Sequence, residues 1–310
     1  MVDKNNNNID LSVEIAGVKL KNPVVTASGT CGFGREYLPF YSPEEIGAVT
    51  TKGLCLNPRD GNKPPRAAET PSGMLNSIGL QNPGVKYFIE HELPFIKRFD
   101  VKIIANIFGS TVEEYCEVAE ILSDTGIDML ELNISCPNVK EGGILFGTCP
   151  KMAGEITESV KRHSGKKPVS VKLSPNVTDI TEIARAAENG GADCISMINT
   201  LIGMKIDIRT RKPVLHNNIG GLSGGAIRPV AVRMIWQVKK AVKLPVIGMG
   251  GVTTGDDAVE LLLAGADAVA VGTAAFGDPT AVLKVRDGIR DYMLENNIKS
   301  AGDITGGAIL

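Results

Sequence analysis

Eight short apolar runs, each followed by a polar break and most of them by an amphipathic helical stretch, constrain this chain more than any other feature. The runs are Pro23–Ser28, Ala48–Gly53, Lys102–Phe108, Met129–Ser135, Val169–Ser174, Cys194–Thr200, Pro245–Gly251 and Ala268–Thr273. They lack the apolar/polar alternation of a strand with one wet face; parallel strands covered on both sides read this way. Eight such units predict the α/β class and one closed eight-stranded parallel (β/α)8 TIM barrel, an architecture that takes about 250 residues and up. The 310 residues here suffice. The helical stripes agree. Val112, Tyr115, Cys116, Ala119 and Leu122 recur at helical spacing ahead of Gly126, and Ala231, Met234, Ile235, Val238 and Ala241 follow Pro229. Asp179 is placed to cap Ile180–Asn189, and Asp256-Asp257 open a short helix before Gly265. These stripes are core faces and carry no chemistry.

No linker, composition shift or charge block divides the chain. Residues 1–10, with four consecutive Asn, are expected to be a disordered tail, and residues 11–310 a single domain with inserted loops. With 33 Lys+Arg against 35 Asp+Glu the formal charge is −2, which argues against a nucleic-acid surface. The six cysteines (31, 55, 116, 136, 149, 194) include no Cys-x-x-Cys pair, so metal, cluster and redox-disulfide motifs are missing. Free thiols, a polar start and the lack of an apolar span predict a cytoplasmic protein; even the most apolar stretch, Ala258–Phe276, holds Glu260 and Asp267.

The residues that close the eight runs carry the chemistry. In order they are Ser28, Lys52, Asn106, Asn133, Lys172, Asn199-Thr200, Gly250-Gly251 and Gly272-Thr273. A parallel barrel brings all of these ends to one face. Three Asn and two Lys converging there are costly to desolvate without a polar ligand. Asn offers donors and an acceptor on one planar amide, which suits a heterocycle of carbonyls and N–H groups; Asn76, Asn133, Asn138 and Asn199 are candidates. Lys52 and Lys172 supply positive charge, one for a carboxylate and one for an anionic ring such as a reduced flavin. Glycines ending the last two strands let backbone N–H groups approach a phosphate. Two inserts, Leu54–Lys86 and Leu201–Leu222, follow strands and are expected to stand over the same face. Gly32-Phe33-Gly34 cannot complete a dinucleotide turn, and no P-loop is present. His91, His163 and His216 fall in outer helices or a polar loop. Cys136 directly follows the fourth run, in Asn133-Ile134-Ser135-Cys136-Pro137-Asn138. Taken alone, an inert buried thiol is the default reading there, as at the other five cysteines.

These motifs resemble the dihydroorotate dehydrogenase family, in its class 1, NAD-linked branch, over nearly the whole chain from about Leu11. The resemblance is carried by Thr51-Lys52-Gly53, Asn76-Ser77-Ile78-Gly79-Leu80-Gln81-Asn82-Pro83-Gly84, Asn133 to Gly143, Val171-Lys172-Leu173-Ser174-Pro175-Asn176, Met197-Ile198-Asn199-Thr200 and Gly248-Met249-Gly250-Gly251. It implies an FMN barrel that oxidises dihydroorotate to orotate in pyrimidine synthesis. By motif, Ser28, Lys52, Gly53, Asn106, Asn133, Lys172, Ile198, Gly224, Gly250, Gly251, Gly272 and Thr273 are expected at FMN. Lys52, Asn76, Ser77, Ile78, Gly79, Leu80, Asn133, Asn138, Asn199 and Thr200 are expected at the substrate. The resemblance makes Cys136 the general base at ring carbon-5 while hydride leaves carbon-6 for the flavin, with Lys172 offsetting the charge that builds there. It also implies a partner subunit carrying FAD and a [2Fe–2S] cluster that reduces NAD, around a homodimeric core. Two departures stand out: Cys149 where the family pattern has Asp, and Gly225 where it has Pro. The alternatives are a flavoenzyme for another dihydropyrimidine such as dihydrouracil, or a colourless lyase or isomerase using Lys52 or Lys172 on a sugar phosphate.

Overall fold

The computed structural model describes residues 9–135 and 143–309, with the side chains of 143–145 excepted. Eight parallel strands close into a barrel: β1 (Val24–Thr26), β2 (Ala48–Thr50), β3 (Lys102–Ile107), β4 (Met129–Asn133), β5 (Val169–Lys172), β6 (Cys194–Met197), β7 (Val246–Met249) and β8 (Ala268–Val271). Each pairs with its neighbours in sequence, and β8 closes on β1 through Val269 opposite Val24 and Ala270 opposite Val25. All eight fall inside the apolar runs. The strands stop one to three residues short of the run ends; Asn106, Asn133 and Lys172 remain in the ladder, while Ser28, Lys52 and Asn199 follow it at the mouth.

Two cores result. Side chains between strands and helices form the larger one. Inside the barrel, Val25, Ala48, Ile104, Met129, Cys194, Ile247 and Ala268 pack with Ile15 and Leu20. The last two come from a hairpin, Val13–Ile15 with Val18–Leu20, that plugs the barrel's lower end. Each is almost fully buried, worth about 1.5–3 kcal/mol per side chain. The helices Val112–Ser123, Ile180–Asn189, Arg228–Ala241 and Gly255–Leu263 sit where their stripes predict. Asp179 caps its helix by accepting from Thr181 N, and Thr254 closes a capping box with Asp257.

The inserts differ from their reading as loops. Ala67–Thr70, Gly73–Asn76, Ile219–Ser223 and Leu201–Met204 form a four-stranded antiparallel sheet over the mouth. Partners so far apart in sequence leave no local pattern, and the glycines that permit the pairing read as turns. A Cβ on Gly221 would lie 2.0 Å from Thr200 Oγ1, and one on Gly220 would lie 2.5 Å from the Asn76 carbonyl.

Cys149 occupies the N-cap of helix Pro150–His163 in extended backbone, with no side-chain cap bond and no acidic residue in the first turn. Cys149→Asp supplies a carboxylate for the open N–H groups and the helix dipole. It is expected to raise stability by about 1 kcal/mol, read as a higher urea midpoint with unchanged slope.

Candidate active site

A cavity of about 570 Å³ opens at the carboxyl ends of the strands, roofed by the four-stranded sheet. Ser28, Lys52, Gly53, Asn106, Asn133, Lys172, Ile198, Gly224, Gly250, Gly251, Gly272 and Thr273 line it, and so do Asn76, Ile78, Gly79, Leu80, Asn199 and Thr200. Ser77 does not. It is fully buried behind the wall, its N–H donating to the Arg66 carbonyl at 2.8 Å and its own carbonyl accepting from Asn62 Nδ2 at 2.9 Å. Cys136 and Asn138 lie outside the described residues.

One end of the cavity is polar and rigid. Lys172, at the end of β5, is 4% exposed. Its Nζ stands 3.5 Å from Glu131 Oε1 on β4 and 3.4 Å from Ser28 Oγ. Asn106 Nδ2 donates to the same Glu131 oxygen at 2.6 Å, and Asn133 Nδ2 donates to Asn106 Oδ1 at 3.3 Å. Asn199 Nδ2 donates to Ser135 Oγ at 2.8 Å, and Ser135 Oγ donates to Asn133 Oδ1 at 3.1 Å. Tyr115 pins β4 from outside by donating its hydroxyl to the Asn133 carbonyl at 2.8 Å. Gly53 completes the packing: a Cβ there would lie 2.9 Å from Asn106 Oδ1.

The other end is a glycine cradle. Gly224, Gly250 and Gly251 have φ of 99°, 125° and 80°, in the left-handed half of backbone space that favours glycine. Side chains there would collide: a Cβ on Gly224 would lie 2.6 Å from Gly73 Cα, and one on Gly251 would lie 2.7 Å from Arg228 Cβ. Thr273 Oγ1 donates to Ser223 Oγ at 2.8 Å beside them. Bare backbone and two hydroxyls suit an anionic group such as a phosphate. The residues present therefore fit a phosphate-bearing planar cofactor: a cradle at one end, an amide and ammonium wall at the other, and space of the size ligand sites use.

The sequence reading missed Glu131, which lies in the barrel beneath the wall and is 2% exposed. Its signal was available as the lone carboxylate in the apolar run Met129–Asn133, two residues before Asn133 and so on the same strand face. None of the three histidines lines the cavity. Among the described thiols, Cys31, Cys55, Cys116 and Cys194 are buried and desolvation raises each. Burial pushes Cys31 up to about 11 and Cys194 up to about 12, so these four are packing residues.

Known proteins resemble this chain in sequence over nearly its whole length. The family model described as dihydroorotate dehydrogenase matches residues 10–293. A protein of Alkaliphilus oremlandii named dihydroorotate dehydrogenase B (NAD(+)), catalytic subunit, is 57% identical over 297 residues, covering 96% of this chain and 98% of the relative. Its namesake in Lachnoclostridium phytofermentans is also 57% identical, covering 96% and 99%. The one in Geotalea uraniireducens is 54% identical over 301 residues, covering 97% and 98%. With an eight-fold barrel, a glycine cradle and an asparagine–lysine wall already in place, matches of this length and identity make the chain a member of the dihydroorotate dehydrogenase family.

Proposed function

We propose that this chain oxidises dihydroorotate to orotate for pyrimidine synthesis, with FMN in the cavity and with electrons passed to NAD through a second subunit. The observation that carries the reading is the convergence of Asn76, Asn133 and Asn199 with Lys52 and Lys172 in one cavity above a glycine cradle. Orotate is a planar ring of carbonyls and N–H groups bearing a carboxylate. Three amides can match the ring edges and one ammonium the carboxylate.

FMN, when bound, supplies the two-electron acceptor. Gly224, Gly250, Gly251, Gly272 and Thr273 hold its phosphate end, while Ser28, Lys52, Gly53, Asn106, Asn133, Lys172 and Ile198 hold its ring. Lys172 keeps positive charge near the ring. Asn76, Ile78, Gly79, Leu80, Asn138, Asn199 and Thr200 enclose the substrate with Lys52 and Asn133, while Ser77 holds its loop from behind the wall through backbone bonds to Arg66 and Asn62. Cys136 takes the proton from ring carbon-5. The relatives are named catalytic subunits, which supports a partner. We assign FAD and a [2Fe–2S] cluster to that partner, because this sequence holds neither a Cys-x-x-Cys nor a dinucleotide fingerprint. A homodimer of this chain forms the core of the assembly. Among the described residues no helix is long and apolar enough to cross a membrane.

An anaerobic titration of the purified chain with dihydroorotate tests the reading. A yellow protein that bleaches with one equivalent per flavin is the expected result. A yellow protein with competent flavin that stays yellow moves the substrate to another dihydropyrimidine. A colourless protein that takes up no FMN overturns the flavin reading.

A further inference from the structure

We propose that Glu131 is a positioning residue of this cavity: its buried carboxylate anchors Asn106, the inner end of the asparagine network on the wall, and holds Lys172 beneath it. The proposal rests on the cavity being the dihydroorotate site.

A carboxylate only accepts. The Asn106 atom 2.6 Å from Glu131 Oε1 is therefore Nδ2, and the amide's other end, Oδ1, faces away as an acceptor. Asn133 must meet it with Nδ2, at 3.3 Å. Asn133 Oδ1 faces Ser135, whose hydroxyl donates to it at 3.1 Å and whose backbone N–H donates at 3.3 Å. Asn199 Nδ2 donates to the Ser135 hydroxyl at 2.8 Å and to its carbonyl at 3.0 Å, and Asn199 Oδ1 accepts from the Thr200 N–H at 2.9 Å. Every donor in this chain of five bonds points toward Glu131.

An asparagine amide is nearly symmetric in shape, so packing alone does not decide which end is which. Backbone groups of Ser135 and Thr200 fix the amides of Asn133 and Asn199 at one end of the chain, and a fixed anion holds Asn106 at the other; aligned bonds in a low-dielectric interior strengthen one another. Asn106, which Asn133 meets in turn, is thus anchored by one residue that is not itself on the cavity wall. The same Oε1 atom draws Lys172 Nζ to 3.5 Å, so loss of the carboxylate leaves that ammonium uncompensated.

The test compares FMN-loaded wild type with E131Q and E131D. An amide at position 131 replaces the charge-assisted bond to Asn106 with a neutral one and leaves Lys172 without its counter-charge. E131Q is expected to bind orotate about tenfold more weakly, and E131D to recover most of the loss. Loss of the negative charge beside Lys172 is expected to favour flavin reduction about tenfold, a potential about 30 mV more positive. Removing one partner of a buried pair also destabilises, so a measurement on the wild type runs beside the variants. In a spectrum labelled with ¹⁵N at asparagine, the Asn106 side-chain amide, assigned by its loss in N106A, is expected strongly downfield.

Orotate affinity and flavin potential in E131Q equal to wild type would falsify the proposal. An Asn106 amide at the position of a solvated asparagine overturns it equally, whether or not E131Q folds. A wild-type protein that dihydroorotate does not bleach overturns the proposed function instead, before any variant is made.

Discussion

Lys172→Met is expected to cost about 3–5 kcal/mol of stability in the flavin-free chain, and adding Glu131→Leu to it is expected to return part of that loss. The reasoning is electrostatic. Lys172 and Glu131 are 4% and 2% exposed, too deep for water to stabilise either charge alone. Removing the lysine leaves a buried carboxylate with Asn106 Nδ2 as its one remaining side-chain partner among the described residues. Removing both charges abolishes the desolvation penalty and leaves apolar volume in its place. Recovery stops short because Asn106 then loses its acceptor, an unsatisfied buried donor worth about 1–3 kcal/mol. Guanidinium unfolding of the four members of the cycle reads the coupling. If the single variants add to give the double, the pair is not an interacting buried unit. Turnover is expected to vanish in every member lacking Lys172, which separates its stabilising role from its role at the ring.

Most of this could be read from the sequence, for a physical reason. A parallel barrel buries each strand on both faces, so each strand appears as a continuous apolar run, and the polar residue that ends it faces the mouth. Lys52, Asn106, Asn133, Lys172 and Asn199 were legible on that ground alone. The glycines at 250, 251 and 272 were legible from their place on the last two strands; Gly224, between β6 and β7, came only through the family resemblance. The place of the roof was legible from the two inserts, but its strand pairing was not. Gly73–Asn76 pairs with Ile219–Ser223 across more than a hundred residues, and its glycines mimic turns. Glu131 was missed for a different reason: inside the apolar run Met129–Asn133 it reads as an interruption of a strand. Its meaning depends on Asn106 and Lys172, which arrive from neighbouring strands.

Cys136→Ala is expected to lower the rate of flavin bleaching by dihydroorotate by at least about 10²-fold while FMN stays bound, because a positioned base contributes about 10²–10⁴ and no cofactor affinity. Cys136 lies outside the described residues, but the strand end that leads to it is fixed. Asn133 is 5% exposed and Ser135 2%, and both are tied into the network that reaches Asn199. The chain therefore leaves Ser135 toward Cys136 from an anchored point at the cavity wall. The thiolate is the basic form, so in the wild type the rate rises with pH until the thiol is mostly ionised, near about 8.5 for an unperturbed cysteine. Stopped-flow bleaching from pH 6 to 9 reads this, and the slope is expected to disappear in Cys136→Ala. A rate loss with the slope intact assigns the proton to another group. Full activity in the variant removes Cys136 from the chemistry, and with it the strongest reason to prefer a dihydropyrimidine with an acidic ring carbon. Cys31 and Cys194 cannot stand in, since desolvation pushes them up to about 11 and about 12.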